Sequence, residues 1–82
     1  MHEFSLATEV IKIAECEAEK HKTLSVSEIT IEVGNFSGVE ADAFKSALGM
    51  LSEGSILEKT RLHIVKTNGT EFRVKSLLIE EE

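Results

Sequence analysis

Apolar and polar positions follow two rhythms along this chain, and the rhythm changes at short breaks. Leu6, Val10, Ile13 and Ala14 recur every three to four residues, with Ile11 and Ala18 widening the stripe. The spacing predicts a helix over residues 5–21. Ser5 suits its N-cap, where a hydroxyl accepts from an otherwise unpaired N–H. Lys20, His21 and Lys22 crowd its far end, where positive charge suits the helix dipole. Over residues 26–34 the period falls to two: Ile29, Ile31 and Val33 alternate with Glu28, Thr30 and Glu32. That pattern predicts a strand with one buried and one wet face, ended by Gly34.

A loop over 35–39 leads to a second helical stripe, Phe44, Ala47, Leu48 and Leu51, within residues 40–52. Gly54 is well placed for a left-handed C-cap. Residues 61–66 read as a strand, with Leu62 and Ile64 facing one way and His63 and Val65 the other. Asn68-Gly69 then predicts a tight hairpin turn into a last strand over 71–79. There the alternation slips at Leu77, Leu78 and Ile79, which predicts a bulge near Ser76. The order helix-strand-helix-strand-strand predicts an α+β fold, with two helices packed on one face of a three-stranded mixed β-sheet. The strand–helix–strand part supplies the parallel pair. The wet face would carry Glu28, Glu32, Arg73 and Lys75 in cross-strand pairs.

Size and charge narrow the function. Eighty-two residues form one domain, 1–82, which buries roughly 60% of its unfolded surface. The core must be aliphatic with a few Phe, because Trp and Tyr are absent. A formal net charge of −6 with scattered basic residues argues against nucleic acid. No apolar run approaches a membrane span, and Met1-His2-Glu3 is not a basic secretory start. One cysteine, Cys16, fits a reducing cytoplasm and leaves no set of thiolates for a structural zinc. Beside the apolar stripe, Cys16 reads as a partly buried small residue rather than a reactive thiol. The two sequons, at Asn35 and Asn68, read as chance matches.

The chain opens with the densest set of metal donors. The amine of Met1, the amide nitrogen of His2 once deprotonated, and the His2 imidazole form two fused chelate rings in one plane. Tetragonal nitrogen sites suit Ni(II) and Cu(II). A second-position histidine also occurs without any such role. Glu3 equally reads as an acid stabilising a helix start. His21 reads as a capping or surface residue and His63 as a structural or exposed one. No nucleophile–base pair or phosphate-binding glycine loop is present, so an enzyme is not expected.

Met1-His2-Glu3-Phe4-Ser5-Leu6, then Val33-Gly34-Asn35-Phe36-Ser37-Gly38-Val39-Glu40, then Arg61-Leu62-His63-Ile64-Val65 and Phe72-Arg73-Val74-Lys75-Ser76-Leu77 together resemble the HypA/HybF family of nickel-delivering hydrogenase-maturation metallochaperones. The resemblance runs from Met1 to about Glu80. It implies that His2 leads a nickel site, with Met1 supplying the amine and Glu3 and Glu40 in support. Glu40, like Asp42, also reads as a first-turn helix acid. Nickel would be carried transiently, for NiFe hydrogenases. The implied partners are a HypB-type GTPase and the hydrogenase large subunit. Family members carry two CxxC motifs between the last two strands, whereas Thr67-Asn68-Gly69-Thr70 joins those strands here. No structural zinc is therefore expected. The alternative is a metal-independent interaction module that keeps only the docking scaffold, with open strand edges able to pair with another chain or in a homodimer.

Overall fold

The structure is a computed structural model that describes residues 3–22 and 25–79. Helix α1 spans Glu3–Lys20, strand β1 Val26–Gly34, helix α2 Ala41–Leu51, strand β2 Arg61–Thr67 and strand β3 Phe72–Ile79. The predicted order and the α+β class hold. The core joins Ala7, Val10 and Ala14 of α1 and Phe44, Ala47 and Leu48 of α2 to Ile29, Ile31 and Val33 of β1. Both helices thus cover the face that β1 makes apolar. Phe44 is fully buried and meets Phe72 edge-on, with ring centroids 5.0 Å apart. Burying a side chain of that size contributes about 1.5–3 kcal/mol, so this contact is a main fastening between α2 and β3.

The sheet differs from the expectation in one respect. Its order is β2-β1-β3, so β2 and β3 are both edges and do not form a hairpin. β1 pairs parallel with β2, Glu28 opposite Arg61, and antiparallel with β3, Val33 opposite Phe72. Between β2 and β3 the chain must therefore cross the end of β1, a span of about 10 Å at ordinary strand spacing. A two-residue hairpin turn joins only adjacent strands, so Asn68-Gly69 serves this crossover instead. The C-terminal end of β1 clamps the loop: Gly34 N donates to Glu71 O (2.6 Å), Asn35 N to Thr67 O (2.8 Å) and Phe36 N to Gly69 O (2.9 Å). A side chain at Gly34 would begin 2.6 Å from the Gly69 carbonyl carbon. The close approach of the two backbones is the reason for glycine there.

The bulge is found where the slip in alternation predicted it. The register of β1 with β3 shifts between Thr30–Ser76 and Ile31–Val74, leaving Lys75 as the extra residue. The shift returns Leu77 and Ile79 to the core side and leaves Leu78 exposed. Other details move. α1 starts at Glu3, so Ser5 lies inside the first turn and is not the cap. Ile13 is exposed, and Ala7 takes a place in the core instead. Cys16 is exposed, not partly buried. Leu57, in the connection after α2, is buried. Gly54 has the predicted left-handed backbone, φ 75°, two residues beyond the C-cap Ser52. No helix among the described residues is long and apolar enough to cross a membrane.

Candidate functional site

Met1 and His2, the leading nickel-ligand candidates, lie outside the described residues. Glu3, the next position of the motif, is described and opens α1. Its Oε2 accepts a hydrogen bond from Glu40 N at 3.3 Å, across 37 positions of sequence. The fold therefore brings Glu3 and Glu40, two of the candidate positions, to one point.

Glu40 is the N-cap of α2, with an extended backbone (φ −85°, ψ 114°). Its carboxylate accepts from Asp42 N through Oε1 (3.3 Å) and from Ala43 N through Oε2 (2.7 Å). The bland reading of Glu40 as a helix-start acid is thus correct in kind, and the residue goes further by capping. The preceding loop delivers it. Gly38 turns with φ 82°, and Ser37 Oγ accepts from Val39 N at 3.2 Å. Asp42 is exposed in the first turn of α2.

Two carboxylates at a helix N-terminus complement the positive end of the dipole. A cation placed there would meet that same dipole, and the negative charges of Glu3 and Glu40 offset it. Capping does not exhaust Glu40. An ionised carboxylate offers about four lone-pair sites, and each Glu40 oxygen accepts one capping bond. Oxygen donors therefore remain at this end of the domain, beside the start of the chain.

The other histidines are elsewhere. His21 follows the end of α1, roughly 27 Å from Glu3 at the ordinary helical rise. His63 lies on the sheet face away from the helices, where its Nε2 is 3.0 Å from Glu28 Oε1. Arg61 Nη1 stands 3.7 Å from the same oxygen. The His63 hydrogen bond is the main reason the Glu28 carboxyl titrates below its usual range, with the charges of His63 and Arg61 adding to it. Arg73 pairs with Glu32 on that face too, as the cross-strand reading predicted; Arg61 opposite Glu28 and His63 diagonal to it were missed because they needed the β1–β2 register. Among the described residues no three His, Cys, Asp or Glu side chains gather to hold a metal.

A family model described as hydrogenase/urease nickel incorporation, metallochaperone, hypA matches residues 1–76. A hydrogenase maturation factor HypA from Francisella philomiragia is 38% identical over 65 residues, covering 79% of this chain and 57% of that protein. One from Parabacteroides distasonis is 35% identical over 71 residues, covering 84% and 62%. The chain thus spans about three-fifths of the length of these relatives. The solution structure of the nickel metallochaperone HypA from Helicobacter pylori superposes with a TM-score of 0.88 at 21% identity, covering 100% of both chains, which establishes a shared fold. With its fold matched and the family's pattern met along nearly all its length, the chain belongs to the HypA family of hydrogenase and urease nickel-incorporation metallochaperones.

Proposed function

We propose that this chain is a nickel-handling domain of the HypA type, working in the cytoplasm, which holds Ni(II) at its Met1-His2-Glu3 start and gives it up to a maturing enzyme. The Met1 amine, the His2 amide and the His2 imidazole supply three nitrogens in a plane, a donor set that suits tetragonal Ni(II). Glu3 and Glu40 contribute carboxylate charge, and one of their oxygens can complete the coordination. The single observation that carries this reading is the hydrogen bond from Glu40 N to Glu3 Oε2, which fastens the residue after the His2 position to the capped start of α2. The bond sets Glu3 beside the Glu40 carboxylate, whose negative charge favours a cation at this end of the domain.

A carrier must release its cargo. Micromolar affinity corresponds to about −8 kcal/mol, within reach of a short chelating segment. Delivery to a hydrogenase large subunit, with a HypB-type GTPase as helper, follows from the family reading. With Cys16 its one cysteine, the chain is read as functioning without a structural zinc, its 67–71 crossover standing where relatives carry two CxxC motifs. The test of the chelate is a chain whose Met1 amine is acetylated. It removes the free amine while keeping every side chain. Nickel affinity should fall by at least about tenfold, near 1.4 kcal/mol; equal affinity would refute the amine ligand.

The strand order favours a second reading. With β1 central, β2 and β3 present open edges, which can add a strand from a partner. A His2→Ala chain that keeps both partner binding and enzyme maturation would select this metal-independent role.

A further inference from the structure

The Asn68-Gly69 pair lies in the crossover loop among groups that suit a reaction of its own. A glycine after asparagine leaves its amide nitrogen open to approach the asparagine side chain, because no Cβ blocks the way. Here that nitrogen is connected to a base. Gly69 N donates to Thr67 Oγ1 (3.4 Å), and Thr67 Oγ1 donates to Glu71 Oε1 (2.8 Å). The Glu71 carboxyl is so close that its Cδ would stand 3.1 Å from a Cβ at Gly69. Its own backbone N–H and the Thr67 hydroxyl hold it below the usual carboxylate range, so it is ionised, and its position at the end of the Thr67 hydroxyl makes it the group to which the relay leads. On the other side, Asn35 Nδ2 donates to Asn68 Oδ1 (3.1 Å). That bond polarises the side-chain carbonyl and steadies negative charge developing on its oxygen. Asn68 itself is exposed, so water reaches it.

We propose that the 67–71 crossover is a self-modifying deamidation site, in which the Thr67–Glu71 relay takes the proton from Gly69 N as that nitrogen attacks Asn68 Cγ and Asn35 supports the carbonyl oxygen. The N–Cγ bond forms as the Gly69 proton passes to Thr67 Oγ1 and the Thr67 proton to the Glu71 carboxylate. The carbonyl then re-forms and expels the side-chain nitrogen, which takes a proton back from Glu71 and leaves as ammonia. A five-membered imide remains. Water opens it at one carbonyl or the other, leaving aspartate or an isoaspartyl linkage at position 68. Either product adds a carboxylate beside Glu71. The isoaspartyl form also inserts a methylene into a loop that Gly34 and Gly69 already pack backbone to backbone. The modification therefore loosens the clamp on the end of β1, from which residues 35–39 lead to Glu40.

The test is a time course of intact mass and peptide mapping on the whole chain at mildly alkaline pH, with the same chain in guanidinium as the unfolded reference. Replacing the amide by a carboxyl adds about one dalton, and the gain should map to position 68 and not to Asn35. It should be faster in the folded chain than in the unfolded one. Glu71→Gln and Thr67→Val should slow it about tenfold, the lower range of positioned proton transfer, and Thr67→Ser should restore it. A folded rate equal to or below the unfolded rate, or a Glu71→Gln rate equal to that of the parent, would overturn the proposal. The folded-against-unfolded comparison needs no variant to fold.

Discussion

Glu3 Oε2 accepts from Glu40 N at 3.3 Å, so the first residue of α1 is bonded to the residue that caps α2. One end of the domain therefore gathers two helix N-termini and two carboxylates, and Glu3 there is the third residue of the proposed nickel motif.

Glu40 should matter to stability before it matters to metal. Glu40→Ala removes two capping bonds and should cost about 0.5–2 kcal/mol, read as a lower midpoint in urea. Glu40→Ser should recover most of that stability, since serine caps well. Nickel affinity in Glu40→Ser then separates the two roles: a loss there with stability kept marks the carboxylate as a ligand.

The crossover should be intolerant of bulk. Gly34→Ala brings a Cβ against Gly69, and backbone cannot rotate aside as a side chain does. Overpacking of this kind costs about 1–3 kcal/mol. A urea midpoint within error of the parent would mean that the clamp is not as tight as the geometry requires.

On the outer face of the sheet, the low titration range of Glu28 should depend on His63, its largest cause. His63→Asn should raise the Glu28 pKa toward its ordinary 4.5, as followed by NMR titration. The sign for stability follows. A carboxyl whose pKa is lower folded than unfolded contributes above its unfolded value, and that contribution is lost as pH falls through the folded value. Glu28→Gln should therefore flatten the acid limb of the stability curve and leave its alkaline limb unchanged.

Metal removal should leave the fold standing. The core is apolar, from Ala7 to Leu57, with Phe44 at its centre. Treatment with a chelator should not alter the far-ultraviolet circular dichroism. Phe44→Ala, by contrast, should cost about 3–5 kcal/mol, a large share of the 5–15 kcal/mol typical of a whole domain. Unfolding by chelator would contradict a metal-free core.

The fold was largely legible because its elements carry strong periodicities. The alternation of Ile29, Ile31 and Val33 and the stripe of Phe44, Ala47 and Leu48 name their faces without help. Even the bulge at Lys75 showed, since Leu77 and Ile79 share the core face with Phe72 and Val74 only if the register slips. The strand order was not legible. Asn68-Gly69 is a strong local signal for a hairpin, yet β1 is the strand best able to bury itself between two neighbours, and that tertiary gain places it between β2 and β3. The start of α1 was read two residues late for a similar reason: Glu3 is anchored by Glu40, a partner far away in sequence. At the candidate site, Glu40 looked like an ordinary helix acid and is one. What no local pattern could reveal is that it meets Glu3.

The most direct test of the account is calorimetric titration of nickel into the chain with its native Met1 amine, beside His2→Ala. The account predicts one-to-one binding that the substitution abolishes, with the fold of both chains unchanged. Binding of equal strength in His2→Ala, or no binding by the parent chain, would contradict it.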